Sequence, residues 1–204
     1  MTTRKERARQ TREKIVRAAE ELLKVRGFAA LNVDDITKIA GVAKGTFYVY
    51  FPHKTDVVEE ICRGYFQNVA LQVRSLRDAD IAQRLGAYAA GFMKAVQCYG
   101  IHICREWIRS VLDPACAPEG VDRRKWRFDV DMLRGLLEEA VQGGELKPDL
   151  PVDTLTHLLI SQLYGMMLCW CISDNEFRPE EWSDRFSEFQ LRLILAPYMN
   201  DNKR

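Results

Sequence analysis

The chain has 204 residues, 47% of them apolar or aromatic, enough for one or two globular domains with a real core. Its net charge of +1 hides an asymmetry: residues 1–54 hold 12 Lys/Arg against 6 Asp/Glu, and residues 55–204 are acidic overall. A basic head on an acidic body points to an anionic partner for the head. Alternating Val/Ile/Thr runs bounded by hairpin turns are missing, which argues against a β fold and for an all-α one. The charged start "MTTRKERARQTREK" lacks the apolar stretch of a signal peptide, so the expectation is a cytoplasmic protein whose six cysteines stay reduced.

The first helix is expected from about Thr11, where Ile15, Ala18, Ala19, Leu22 and Leu23 make one apolar stripe; residues 1–10 read as frayed. Arg26-Gly27 ends it, with a cation near the C-terminus and a residue able to take positive φ. Asn32 is a good N-cap for a short second helix, with Asp34 and Asp35 in its first turn and Ile36, Ile39 and Ala40 as its inner face. Gly41 stops it. A third short helix must follow from about Lys44 to Phe51, because Pro52 disfavours helical geometry at the residue before it. A long fourth helix reads from Thr55 to about Leu76. Further helices are expected near 81–98, 101–113, 121–142, 152–173 and 179–199, separated by Gly100, "DPACAPEG", "GGELKPDLP" and "SDNEFRP".

"GVAKGTFYVYF" (41–51) carries the function. Two short helices joined through Gly41 and Val42 make a helix-turn-helix, whose second helix can lie in a DNA major groove. Lys44 brings charge, Thr46 a hydroxyl, and Gly45 room for the backbone to approach a sugar-phosphate chain. Tyr48 and Tyr50 offer flat surface and hydroxyls. Lys54, at a helix start, suits a phosphate. Phe47 and Phe51, with Phe28, Leu31 and Ile39, read as the centre of the head.

The segment "LNVDDITKIAGVAKGTFYVYFPHKTDVVEEI" (31–61) resembles the DNA-binding signature of the TetR family of bacterial transcriptional regulators. Gly41-Val42, Lys44 to Tyr48, Tyr50-Phe51 and Lys54 are all in register. The resemblance implies a three-helix DNA-binding domain over 1–54 and a larger helical ligand-binding and dimerisation domain over 55–204, about nine helices together. It maps the DNA contacts to Lys44, Gly45, Thr46, Tyr48, Tyr50 and Lys54, with Thr37 weaker and Val49 tuning sequence preference. Ala43 departs from the Ser common in the family and cannot cap the reading helix.

For the body, the resemblance implies a ligand-responsive regulator, usually a repressor, that binds a palindromic operator as a homodimer. The eighth helix is apolar nearly all round and needs partners on several sides. Leu155, Leu159, Leu163, Met166 and Trp170, with Trp182, Phe186, Phe189 and Leu193 of the last helix, are expected to pair with their symmetry mates. Phe92, Met93, Trp107, Trp126, Phe128, Met132 and Tyr164 are the large adaptable side chains for an effector pocket, which implies a small, largely apolar or aromatic ligand.

Two other classes compete. A thiol- or metal-responsive regulator would use the body cysteines, but Cys169 and Cys171 stand two apart on a helix and point in different directions. No metal site and no cofactor are expected. Catalysis lacks a nucleophile-elbow, P-loop or dinucleotide fingerprint, and the three histidines lie far apart, so no enzyme is expected. A helical adaptor that does not bind DNA would leave the basic head without a purpose.

Overall fold

The computed structural model describes residues 3–27, 30–112, 123–174 and 176–200. The helices are α1 (Arg4–Arg26), α2 (Val33–Ala40), α3 (Lys44–Tyr50), α4 (Lys54–Ser75), α5 (Ile81–Tyr99), α6 (Ile101–Leu112), α7 (Arg124–Gln142), α8 (Val152–Ile172) and α9 (Pro179–Phe186). A π turn, Ser187–Leu191, carries α9 into α10 (Arg192–Leu195) without leaving helical dihedrals. Among the described residues the only β contact is an isolated antiparallel bridge between Leu146 and Met199. The all-α expectation holds.

α1 starts a full two turns earlier than the apolar stripe suggests. Thr3 Oγ1 accepts from the Glu6 amide at 3.2 Å, and Arg9 bonds Glu6 and Glu13 on the same face. This cap and these i,i+3 and i,i+4 pairs hold a segment that has no apolar face of its own. The other head boundaries match their signals. Gly27 has φ 68° and its amide bonds Leu23; Asn32 Oδ1 accepts from Asp35 N at 2.7 Å; Gly41 is left-handed.

The head closes around Ile15, Ala19, Leu31, Ile36, Phe47 and Phe51, all buried. Phe28 lies outside the described residues. Ile39 does not join this core: half of it is exposed, and Thr37 turns inward instead. Arg12 of α1 ties three elements together. Its guanidinium donates to the Tyr50 carbonyl at the end of α3 (3.3 Å), pairs with Glu60 of α4, and lies 4.5 Å from the centroid of the Phe51 ring.

α4 continues into the body. There Gly91 of α5 lets the two helices meet so closely that a Cβ at that position would stand 2.5 Å from a Val69 methyl. The Tyr99 hydroxyl at the far end of α5 donates to the Ile61 carbonyl. Glu145, in the connection before α8, accepts from the Ile81 amide and from Arg84, closing the N-terminus of α5. The last described residues are pinned to the same connection: Lys147 N donates to Tyr198 O at 2.8 Å, and Asn200 N to Glu145 O at 3.1 Å.

α8 is long and apolar enough to cross a membrane by length and composition, yet half of it is buried in this fold. Its inward face is Leu155, Leu159, Leu163, Met166 and Trp170, packed into the core of their own chain rather than left for a symmetry mate. The outward stripe is Leu158, Ser161, Gln162, Leu168, Cys169 and Ile172. The last helix needs that correction at one of its four expected positions. Phe186 is buried, while Trp182, Phe189 and Leu193 are exposed. The π turn is the cause: buried positions run 179, 183, 186, 191, 195, and the step of five is the widened turn.

Candidate nucleic-acid interface and body centre

α3 is seven residues long, and its two faces divide cleanly. Phe47 is fully buried against Phe51, with ring centroids 5.7 Å apart. Lys44, Gly45, Tyr48 and Val49 point outward, Tyr48 at 47% and Val49 at 78% exposure. A Cβ at Gly45 would meet nothing within 4 Å, so the backbone there is open to a close approach. Thr46 and Tyr50 are half-buried at the margins. Lys44 Nζ lies 2.8 Å from an Asp34 carboxylate oxygen on α2; that hydrogen bond holds its pKa above the ordinary value. Ala43 at the N-cap makes no side-chain bond, as its chemistry requires.

Two expected contacts are otherwise engaged. Thr37 is 7% exposed and its hydroxyl donates to the Asp34 carbonyl at 3.0 Å, so it stabilises α2 from within rather than facing outward. Lys54 is half-buried and its ammonium donates to the Leu31 carbonyl at 3.0 Å, tying the start of α4 to the loop ahead of α2.

In the body, three of the seven expected pocket side chains meet. The Tyr164 ring lies 5.5 Å from Phe92 and 5.7 Å from Trp107. Met93 and Met132 are buried and Phe128 is half-buried. Trp126 sits apart at the surface beside His157, because it falls on the outer face of the first turn of α7. Beside Phe92 lies a group that patterning alone did not single out. Asp129 of α7 is completely buried. It accepts from the hydroxyls of Tyr88 and Tyr164, each at 2.6 Å, and pairs with the Lys125 ammonium one turn earlier. That ammonium stands 3.5 Å from the Phe66 ring centroid and 4.8 Å from that of Phe92. Burial lowers the Lys125 pKa, and Asp129 offsets part of the effect. Burial, with the Asp129 charge second, raises both tyrosines.

Three of the five described cysteines are poor thiolates. Burial pushes the Cys62 thiol up to about 12 and raises Cys104 and Cys171, which disfavours the thiolate that oxidation and metal binding need. Cys169 is exposed and Cys171 buried, as two-residue spacing on a helix dictates. Cys116 lies outside the described residues. Among the described residues no three His, Cys, Asp or Glu side chains are grouped to hold a metal. Arg105, whose charge suits an anionic ligand, is committed to the end of α8, where it donates to the Cys171 carbonyl at 2.6 Å.

A short outward helix seated on a left-handed glycine turn, carried by a helical body, defines a helix-turn-helix DNA-binding regulator. Residues 15–61 match the profile described as bacterial regulatory proteins, tetR family. The chain belongs to the TetR family of transcriptional regulators. It is 26% identical over 201 residues to the HTH-type transcriptional repressor BepR of Brucella suis biovar 1, covering 95% of this chain and 96% of that one. A transcriptional regulator from Cytophaga hutchinsonii shares the fold with a TM-score of 0.71 at 17% identity, over 92% of this chain and 98% of the other. The Bacillus subtilis regulator FadR, solved in complex with stearoyl-CoA, shares it with a TM-score of 0.59 at 20% identity, over 90% and 97%.

Proposed function

We propose that this protein is a cytoplasmic, ligand-responsive repressor that binds a palindromic DNA operator as a homodimer and is released by a small, largely apolar or aromatic effector. The observation that carries the reading is the outward face of α3. Lys44, Gly45, Tyr48 and Val49 stand clear of a helix whose other side is locked into the head by Phe47. Thr46, Tyr50 and Lys54 flank that face and supply contacts at its margins, Lys54 by exchanging its carbonyl partner for a phosphate. Thr37 is left out of the set because it is buried.

The dimer surface in this reading is the outward stripe of α8, where Leu158, Leu168 and Ile172 are exposed, with Trp182, Phe189 and Leu193, apolar side chains left uncovered in one chain. Two heads on a two-fold axis would read two half-sites. α4 links head to body: it is bonded to α1 through Glu60 and packed on α5 through Val69. An effector that favours one α4 position over another shifts DNA affinity through a coupling of about 1–3 kcal/mol. The stearoyl-CoA complex of FadR supports a body of this fold enclosing a ligand with a long apolar part.

The test is a selection of bound duplex from a random pool, followed by affinity measurements over a range of salt. The expected outcome is a palindromic consensus and steep salt dependence. Tyr48→Ala should lose affinity by about tenfold or more with an unchanged melting temperature. Failure to enrich any sequence, with the folded chain still dimeric, would favour the adaptor reading and overturn this one.

A further inference from the structure

The centre of the body has the composition of a receptor for an organic cation. A buried carboxylate, Asp129, is held by two phenol donors, and the faces of Phe66 and Phe92 flank the ammonium paired with it. Ring faces attract cations, most strongly where water is excluded. The occupant here is the protein's own Lys125 ammonium, which arrives on a flexible stem from the first turn of α7. We propose that Lys125 is a tethered stand-in, and that the effector is a compact organic ammonium with an apolar body that displaces it from Asp129, Phe66 and Phe92.

The charge arrangement decides between ligand classes. An incoming ammonium restores the counter-charge of Asp129, leaves its two phenol bonds in place and keeps both ring faces in contact with a cation. An incoming carboxylate would pair with Lys125 only by sitting beside Asp129, and two like charges in a buried site repel strongly. A neutral ligand would leave Asp129 buried without its counter-ion. Release of Lys125 is also the easier exit. A quarter of its side chain is already exposed, and its neighbours Arg123 and Arg124 stand in solvent, so its stem can carry the ammonium out to water. Burial already disfavours its charged form where it sits.

Occupancy of the cage bears directly on α4, because Phe66 belongs to that helix. A ligand bulkier than the lysine tip presses on Phe66 and on Tyr65, whose ring meets Phe66 edge to face at 6.2 Å. The regulatory part of this inference rests on the proposed effector-responsive function; the cation site itself does not.

Calorimetry on the full-length chain without DNA separates the two. The probes are benzyltrimethylammonium, its neutral carbon isostere neopentylbenzene, and the anion 3-phenylpropionate. Wild type is expected to bind the ammonium alone. Lys125→Ala, which removes the tethered competitor, is expected to bind it about tenfold tighter or more, and Asp129→Asn to lose it. Should Lys125→Ala melt too low for titration, recovery of its melting temperature by the ammonium, and not by the isostere, supports the site; no recovery overturns it. Equal binding of the carboxylate or the isostere overturns it, as does ammonium affinity unchanged by Lys125→Ala. Operator release is then measured separately. An ammonium that binds without releasing DNA leaves the cation site standing and removes its regulatory role. A chain that releases DNA to other compounds but binds no ammonium keeps the regulator and loses this site.

Discussion

The reading face of α3 and the centre of the body each join a lysine to an aspartate, and the two pairs obey different physics. Lys44 and Asp34 meet at 2.8 Å between exposed side chains, where water screens them and either partner is free to change allegiance. Lys125 and Asp129 meet where the carboxylate has no solvent contact at all, so each depends on the other and on Tyr88 and Tyr164. The outer pair is suited to exchange with a polyanion. The inner pair is suited to exchange only with something that reproduces its charge.

The sharpest break between them comes from removing one partner of each. Asp129→Ala lets Lys125 turn out to water but leaves two buried phenols without their acceptor, and is expected to destabilise the fold by about 2–4 kcal/mol in urea unfolding. A loss below about 1 kcal/mol would mean that the phenols find other partners, and one above about 5 kcal/mol that the ammonium stays stranded.

Alkaline pH tests the same interior as a whole. Cys62, Cys104, Tyr88, Tyr99 and Tyr164 all hold their protons more firmly in the fold than unfolded, chiefly through burial. Their contribution is complete below the ordinary values of 9.0 and 10.0 and is lost as pH climbs towards the raised ones, about 12 for Cys62. Lys125, lowered from 10.5, works in the opposite sense, one group against several. Urea midpoints should therefore fall between about pH 8 and about pH 11. A flat profile would show that these groups stay wet.

Gly91→Ala probes packing without charge. Its new methyl must displace Val69, so a loss of about 1–3 kcal/mol is expected in the same unfolding assay. The smallest effect belongs to the outer pair. Asp34→Ala should leave the melting temperature unchanged while tightening DNA binding at low salt, because Lys44 is released and an anion is removed from the reading face. A stability loss there would make the outer pair structural after all.

Much of the head was legible because its signals are local. Gly27, Asn32, Gly41 and the Phe47/Phe51 pair each act within a few residues of themselves. The start of α1 is set by the cap of Thr3 and Glu6, whose spacing is present in the sequence, and not by the apolar stripe that begins further on. In the body, helix existence followed from periodicity, but facing did not. On a helix apolar all round, such as α8, no pattern says which side turns inward, and the residues expected at a dimer seam are the ones buried in their own chain. In α9 and α10 the π turn breaks the period that the stripe through Phe186 assumed. Lys125 and Asp129, at i and i+4, have the spacing of an ordinary solvated pair. Only the arrival of Tyr88 and Tyr164 from other helices makes them a centre.

Arg12 has a mechanical consequence. One guanidinium grips the end of α3, the second turn of α4 and the ring between them, so the reading rod cannot lag behind its carrier. In the proposed function a swing of α4 would carry α3 with it, and the pivot for that swing would lie beyond Glu60, on the body side of the clamp.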